Sequence, residues 1–179
     1  MLDSENCIRV NRAPVLTLWA AVVAERLGFE RDEALTLGRA LAGLATHARG
    51  VRLGLLEPSA PEEVRERRGR LAEGERLDVR LMGRTIPVVR TPDGLRALAK
   101  DWPAKPASVE RYLEGKLGDA LPEVRAAMER LAGSLPPAEL ARRAFRLYEG
   151  FRPAAPSGEA GWGRAGVLDL RRISGDREA

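Results

Sequence analysis

Arginine is the residue type with the clearest chemical potential in this sequence. The chain of 179 residues contains 30 lysines and arginines against 26 aspartates and glutamates, and all but three of the 30 are arginines. Arginine binds phosphate and carboxylate groups through paired N–H donors, so an excess of arginine suits recognition of an anion. Because acidic and basic residues alternate along the chain, the same composition also fits a solvated surface of ion pairs.

The densest arginine cluster falls on the last long predicted helix. Arg142, Arg143 and Arg146 lie close together there, and Arg152 follows beyond the helix. These four arginines are the first candidates for contacts to nucleic acid or another anion. Glu139 precedes Arg143 by four residues, a spacing typical of an ion-paired helix face, so both interpretations stay open. A second cluster, interleaved with glutamates, consists of Arg65, Arg67, Arg68 and Arg70.

The segment from Ala20 to Leu41 resembles a DNA-binding helix-turn-helix. The tight turn of that motif requires a small residue, a glycine and an apolar residue at fixed positions, which Ala24, Gly28 and Phe29 occupy here. The resemblance implies that Arg31 and Arg39 lie on or near a helix that reads DNA. The two acidic residues that follow Arg31 oppose this interpretation, since they would face phosphates. A packed helical hairpin with a glycine turn gives much the same pattern, so the alternative stays open.

Several kinds of chemistry lack the residues that they need. His47 is the one histidine and Cys7 the one cysteine, so neither a site with two imidazoles nor an internal disulfide can form. The run Gly161–Gly166 matches the spacing of a dinucleotide-binding loop, but a proline-rich stretch precedes it and too little chain follows. We therefore predict no catalytic residue, no cofactor and no bound metal.

Three hypotheses about function remain. The first is a non-enzymatic binding module, with nucleic acid as the leading partner. The second is an enzyme that acts on a small anionic substrate held by arginine and carboxylate side chains. The third is a homo-oligomeric structural or interaction protein. Cys7 has no histidine near it in sequence, and a single histidine excludes an imidazole pair, which favours the binding module over the enzyme.

The longest apolar stretch, Ala13 to Ala24, is too short to span a bilayer. Asp3 and Glu5 stand where a secretory signal would carry positive charge. The sequence therefore predicts a cytoplasmic protein without a membrane partner.

The apolar periodicity predicts a mainly helical α+β fold. We expect one multi-helix domain over residues 1–150, with one β-hairpin near residues 77–90, and a Gly/Pro-rich tail over 151–179 that docks on the same domain through Phe151 and Trp162. Gly83-Arg84 is the predicted hairpin turn, and Pro87 predicts an edge or bulged second strand. The predicted helices cover 14–27, 31–49, 59–71, 91–100, 109–117, 119–131 and 136–148, and a last strand is predicted at 167–170.

Small residues predict how the first two helices pack. Ala34, Gly38 and Ala42 recur at four-residue spacing on the second helix, which lets a partner backbone approach closely. Ala20 and Ala24 on the first helix are the expected partners. A tightly packed helix pair with Gly38 buried at the crossing follows from this spacing.

Three short sequences carry a resemblance to a known group of proteins. They are Asn11-Arg12-Ala13-Pro14-Val15-Leu16-Thr17-Leu18-Trp19, Tyr148-Glu149-Gly150-Phe151-Arg152-Pro153 and Gly161-Trp162-Gly163. With these, most of the chain resembles a small family of uncharacterised bacterial proteins. The resemblance implies a bacterial, cytoplasmic protein and brings no established activity.

Overall fold

The computed structural model describes residues 6–52, 76–99, 102–154 and 165–174. Within these ranges the fold is α+β, with helices packed beside small antiparallel sheets, as the sequence predicted. The helices are α1 (Arg12–Arg26), α2 (Arg31–Arg52), α3 (Pro106–Leu117), α4 (Leu121–Gly133), α5 (Pro137–Phe151) and α6 (Leu170–Ile173). The strands are β1 (Cys7–Val10), β2 (Arg76–Leu81), β3 (Arg84–Thr91), β4 (Gly94–Ala99), β5 (Trp102–Pro103) and β6 (Gly166–Asp169).

Helix α1 forms the centre of the core. Every residue from Pro14 to Ala24 is buried, because α2, α3, α4 and α5 all pack around this apolar helix. The indole N–H of Trp19 donates to the carbonyl of Ala144 at 2.9 Å, which satisfies a polar group deep in the core. Its ring also meets that of Phe151 edge to face, with centroids 5.3 Å apart.

The crossing of α1 and α2 depends on Gly38. A Cβ atom at this position would collide with the backbone carbonyl of Thr17 and come within 3.0 Å of the backbone nitrogen of Ala21. The expected burial of Gly38 is therefore confirmed. Its neighbours on α1 are Thr17 and Ala21 rather than the predicted Ala20 and Ala24, although those two alanines are also buried.

The predicted hairpin is present, but its turn differs by one residue. Leu81 pairs with Arg84, so Met82 and Gly83 form the turn, and their positive φ angles of 50° and 78° are typical of type I′. This register places Leu77 opposite Val88. The predicted turn would instead have placed Leu77 opposite an arginine. The observed register is favoured because it pairs two apolar side chains across the strands.

Strand β3 lies between β2 and β4 and is not an edge strand, contrary to expectation. Pro87 is nevertheless accommodated, because the ladder with β4 begins only at Val88. Pro87 therefore belongs to the part of β3 that pairs with β2 alone, where a missing N–H costs no bond to β4.

The helix predicted over 91–100 is wrong, because β4 occupies this segment. Thr91 pairs with Gly94 across a tight turn, and Gly94 has a φ of 113° that glycine adopts most easily. Helix α2 stabilises the strand: Glu33 accepts the N–H of Leu95 at 2.9 Å. The hydroxyl of Thr36 likewise accepts the N–H of Ala97 at 3.1 Å. These contacts satisfy strand donors along the part of β4 that β5 is too short to reach.

Near the C-terminus, β6 pairs with β1 in the second sheet, and the predicted last strand is thereby confirmed. Ala154 and Val167 exchange backbone hydrogen bonds of 3.1 and 3.3 Å, which attaches the chain after α5 to β6. Phe151 is buried in the core, as predicted. The predicted helix 59–71 with its arginine cluster, Trp162 and the start of the Gly161–Gly166 run lie outside the described residues. The partition into a domain and a docking tail stays a prediction.

Among the helices of the described ranges, none combines the length and the apolar character required to traverse a membrane.

Candidate functional site

The arginines of α5 lie on its solvent-facing side. Arg142, Arg143 and Arg146 are exposed, whereas Leu140 and Ala144 of the same helix are buried. Arg143 binds Glu139 at 2.8 Å, as the four-residue spacing predicted. Within the described ranges, Arg142 and Arg146 form no ion pair or side-chain hydrogen bond.

Arg152, the fourth member of the predicted cluster, directly follows α5 and is half-buried. Its backbone N–H donates to the carbonyl of Tyr148 at 2.7 Å and closes the end of the helix. The structure thus brings three of the four arginines to the solvent-facing side of α5 and places Arg152 at the helix end.

The two arginines of the helix-turn-helix hypothesis contact α3. Arg31 forms an exposed ion pair with Glu110 at 2.8 Å. The guanidinium of Arg39 stacks 4.2 Å above the centre of the Tyr112 ring. Burial raises the pKa of Tyr112, and the nearby charge of Arg39 partly opposes this rise.

Helix α2 is covered on several sides. It packs against α1, α3 and β4, and every residue from Ala34 to Gly38 is buried. A helix that reads DNA needs a free face that can enter the major groove. Arg31 and Arg39 are exposed on α2, but both side chains contact α3.

An open groove of about 600 Å³ lies where the edge of the four-stranded sheet meets the beginning of α3. Such a volume falls in the range of small-ligand sites. The β3–β4 turn, β5 and the connection to α3 supply its walls. Its lining consists of Thr91, Asp93, Arg96, Trp102, Pro103, Ala104, Lys105 and Pro106.

Arg96 is the unusual residue of this groove because its charged side chain is only 8% exposed. Its Nη1 donates to the carbonyl of Leu95 at 2.9 Å, and its Nη2 donates to the carbonyl of Asp93 at 3.2 Å. In the part of the chain that the structure describes, no carboxylate forms an ion pair with Arg96. Two of the five N–H donors of its guanidinium are thus engaged by carbonyls, and among the described residues its positive charge has no acidic ion-pair partner.

Glu33 and Arg96 both lie beside Gly94. A Cβ atom at Gly94 would be 3.3 Å from Glu33 Oε2 and 3.5 Å from Arg96 Nη1. Both carboxylate oxygens of Glu33 already accept backbone N–H groups, from Glu30 at 3.0 Å and from Leu95 at 2.9 Å. Glu33 therefore positions the beginning of β4, the strand that carries Arg96.

Trp102 lines the groove and is 71% exposed. The other aromatic side chains of the described residues are buried or half-buried, and Trp19 is wholly enclosed. Pairing of Trp102 with Ala99 fixes the backbone that presents the indole. A large apolar ring held in water by a strand is a feature of binding surfaces.

The first turn of α3 adds positive potential to the groove. Lys105 is the N-cap residue and Pro106 the first helical residue. No side chain of the described ranges caps this helix end, and its first turn contains no acidic residue. The partial positive charge of the helix N-terminus therefore adds to the charges of Lys105 and Arg96.

Sequence reasoning missed Arg96, Trp102 and Lys105 as site residues. The misassigned helix over 91–100 hid the turn that brings Arg96 beside β5. Thr91-Pro92-Asp93-Gly94 carried a usable signal, because Pro-Asp-Gly between apolar segments is typical of a tight turn.

No group of histidine, cysteine, aspartate or glutamate side chains that could hold a metal occurs within the described ranges. Cys7 is half-buried in β1, and the side chain of His47 lies outside the described residues. The groove can bind an anion through Arg96 and Lys105, contact a flat group through Trp102 and accept hydrogen bonds through Asp93. Comparisons with protein-family models, with curated proteins and with solved structures find no match to this chain.

Proposed function

We propose that the protein is a non-enzymatic module that binds nucleic acid, and that the groove beside α3 contacts the phosphate backbone. The observation that carries the proposal is Arg96, a nearly buried arginine without an acidic ion-pair partner in the described part of the chain that lines an open groove. Burial of a charge is costly unless a partner compensates it. A phosphate of the ligand supplies that partner and fits the fork of guanidinium donors.

Charges outside the groove support the same class of ligand. The chain carries a formal net charge of +4, and Arg142 and Arg146 are exposed without partners in the described ranges. Charges of this kind attract a polyanion over distances of about a Debye length and raise the association rate. We assign α5 to this long-range attraction and the groove to direct contact.

The salt dependence of binding tests the proposal. Affinity for a dye-labelled single-stranded oligonucleotide is measured by fluorescence anisotropy over a series of salt concentrations. For Lys105→Ala, the slope of log affinity against log salt falls by about 0.7, the value for one lost phosphate contact.

Lys116→Ala is the matched control, because Lys116 is an exposed lysine at the opposite end of the same helix. The control should retain the wild-type slope. Equal slopes for the two variants, or no measurable binding by the wild-type protein at low salt, would contradict the proposal.

An enzyme acting on a small anionic substrate is the second candidate. The observation that favours it is Asp93, an exposed carboxylate that lines the groove together with Arg96 and Lys105. General acid–base catalysis could use such a carboxylate beside an anion-binding pair. Incubation with oligonucleotides and nucleotides, followed by mass spectrometry, separates the two candidates: we expect intact ligands, whereas a product that Asp93→Asn abolishes would support an enzyme.

The homo-oligomer hypothesis stays a prediction. The exposed large apolar side chains of the described residues are Leu44, Trp102 and Val167, which lie in α2, β5 and β6. No contiguous apolar face that would favour self-association emerges from these residues.

A further inference from the structure

We propose that the groove recognises single-stranded nucleic acid by stacking a base on Trp102 while a neighbouring phosphate lies against Arg96 and Lys105. This inference rests on the proposed nucleic-acid function and adds the form of the ligand and the residue that selects it. The juxtaposition of an exposed indole with two cationic side chains in one groove carries it.

Trp102 has the exposure and the support that a stacking platform requires. Trp102 is 71% exposed, although burial of a large aromatic ring lowers the free energy. Its backbone pairs with Ala99, and Pro103, whose φ angle is fixed, follows it. A ring held this way loses little conformational freedom when a base covers it.

The polar lining matches the remaining parts of a nucleotide. Arg96 and Lys105 suit the phosphate. The carboxylate of Asp93 can accept hydrogen bonds from a sugar hydroxyl or from an amino group of a base. The Thr91 hydroxyl already donates to the carbonyl of Gly94 at 2.7 Å and accepts the N–H of Asp93 at 3.2 Å, which fixes the turn that carries this carboxylate.

A single strand fits this arrangement better than a duplex. In a duplex the faces of the bases are covered by their neighbours, so an indole can stack only if the helix is locally opened. In a single strand every base presents a face, and base–aromatic stacking is the common means of binding.

The open form of the groove favours a strand over a free nucleotide. Sites for small molecules enclose most of the ligand surface. Here Trp102, Asp93 and Lys105 are all exposed, so the groove does not enclose its ligand and a strand can extend beyond it.

The test uses two dye-labelled oligonucleotides with the same number of phosphates, one with ordinary bases and one with abasic sites throughout. We expect the wild-type protein to bind the base-bearing strand roughly five- to a hundredfold more tightly, the range that one stacked base provides. Trp102→Ala should remove this preference, and Trp102→Phe should retain part of it. Lys105→Ala should weaken binding of both strands by the same factor.

Quenching of tryptophan fluorescence gives an independent readout of stacking. The base-bearing strand should quench the wild-type protein, and Trp102→Phe should lose this quenching. Trp19 is enclosed in the core, so it should not respond. The chain also contains Trp162, so both proteins carry Trp162→Phe and the quenching reports on Trp102. Circular dichroism spectra that superimpose on the wild-type spectrum establish that each variant is folded.

Each outcome of the binding assay supports or overturns a defined statement. Equal affinity for the two strands overturns stacking on Trp102 and leaves the proposed function in place. Failure to bind either strand overturns the proposed function itself. A duplex or a free mononucleotide that binds as tightly as the base-bearing strand overturns the assignment to single strands.

Discussion

The outer face of α5 and the groove beside α3 are both basic, but they hold their charges differently. On α5, three arginines are exposed on the solvent-facing side, and one of them is paired with Glu139. In the groove, Arg96 is nearly buried, and Trp102 stands exposed beside it. The α5 face therefore has more charged side chains, whereas the groove holds its arginine in a more defined position.

This difference separates attraction from recognition. Exposed charges are screened by salt within about 8 Å at physiological ionic strength, and their ion pairs contribute little free energy. A desolvated guanidinium is screened much less, so a phosphate beside Arg96 would interact strongly and in one place. Sites that bind a ligand specifically are expected to resemble the groove more than the α5 face.

The largest expected effect comes from Arg96→Met. Loss of a charge-assisted contact of about 1.5–3 kcal/mol should weaken binding of the oligonucleotide by roughly ten- to a hundredfold. Removal of a nearly buried charge without an acidic ion-pair partner in the described ranges should leave the free energy of unfolding unchanged or higher. Anisotropy and urea denaturation measure the two quantities. Lower stability together with unchanged binding would mean that Arg96 serves the fold.

The α5 counterpart is the triple variant Arg142→Ala, Arg143→Ala and Arg146→Ala. At physiological salt we expect an equilibrium affinity within about threefold of wild type, because the charges are exposed and screened. The association rate at low salt should fall more clearly. Stopped-flow mixing at two salt concentrations measures both. A larger loss of affinity than Arg96→Met causes would reverse the ranking of the two regions.

A third region, the α1–α2 pair, is expected to contribute to the stability of the core and not to binding. Gly38→Leu should lower the free energy of unfolding by about 1–3 kcal/mol or more, since the first carbon already meets the backbone of Thr17. Thermal or urea denaturation measures this. Arg31→Ala should bind a double-stranded oligonucleotide with wild-type affinity, and a clear loss of duplex binding would restore the helix-turn-helix hypothesis.

The smallest effect is expected for Arg39→Ala. Loss of the contact with the Tyr112 ring should cost about 0.5–1 kcal/mol of stability. The pKa of Tyr112 should rise further, because burial already raises it and Arg39 is the charge that opposes the rise. An absorbance titration of the phenolate checks the direction, and a lower pKa in the variant would contradict it.

The sequence predicted those parts of the fold that local patterns determine. The small-residue spacing around Gly38 identified a close helix crossing, and alternating apolar residues identified the hairpin. The position of its turn and the strand nature of β4 were missed, because both depend on pairing with distant segments. Thr36 and Glu33 of α2, for instance, satisfy β4 donors more than sixty residues away.

The candidate site was harder to predict than the fold. The sequence drew attention to Arg142, Arg143 and Arg146 because they are neighbours in the chain. It gave no indication that Arg96 would be desolvated or Trp102 left in water, since burial is a property of the packed structure. The clustering of arginines in the sequence therefore identified the basic face of α5 and missed the groove.

The most direct test of the central claim is photochemical crosslinking to a single-stranded oligonucleotide that carries a photoreactive base. After digestion with trypsin, mass spectrometry identifies the crosslinked peptide. We expect the peptide that follows Lys100 and ends at Arg111, with the modification on Trp102. Crosslinks confined to peptides of α5, with the Trp102 peptide unmodified, would contradict the assignment of recognition to the groove.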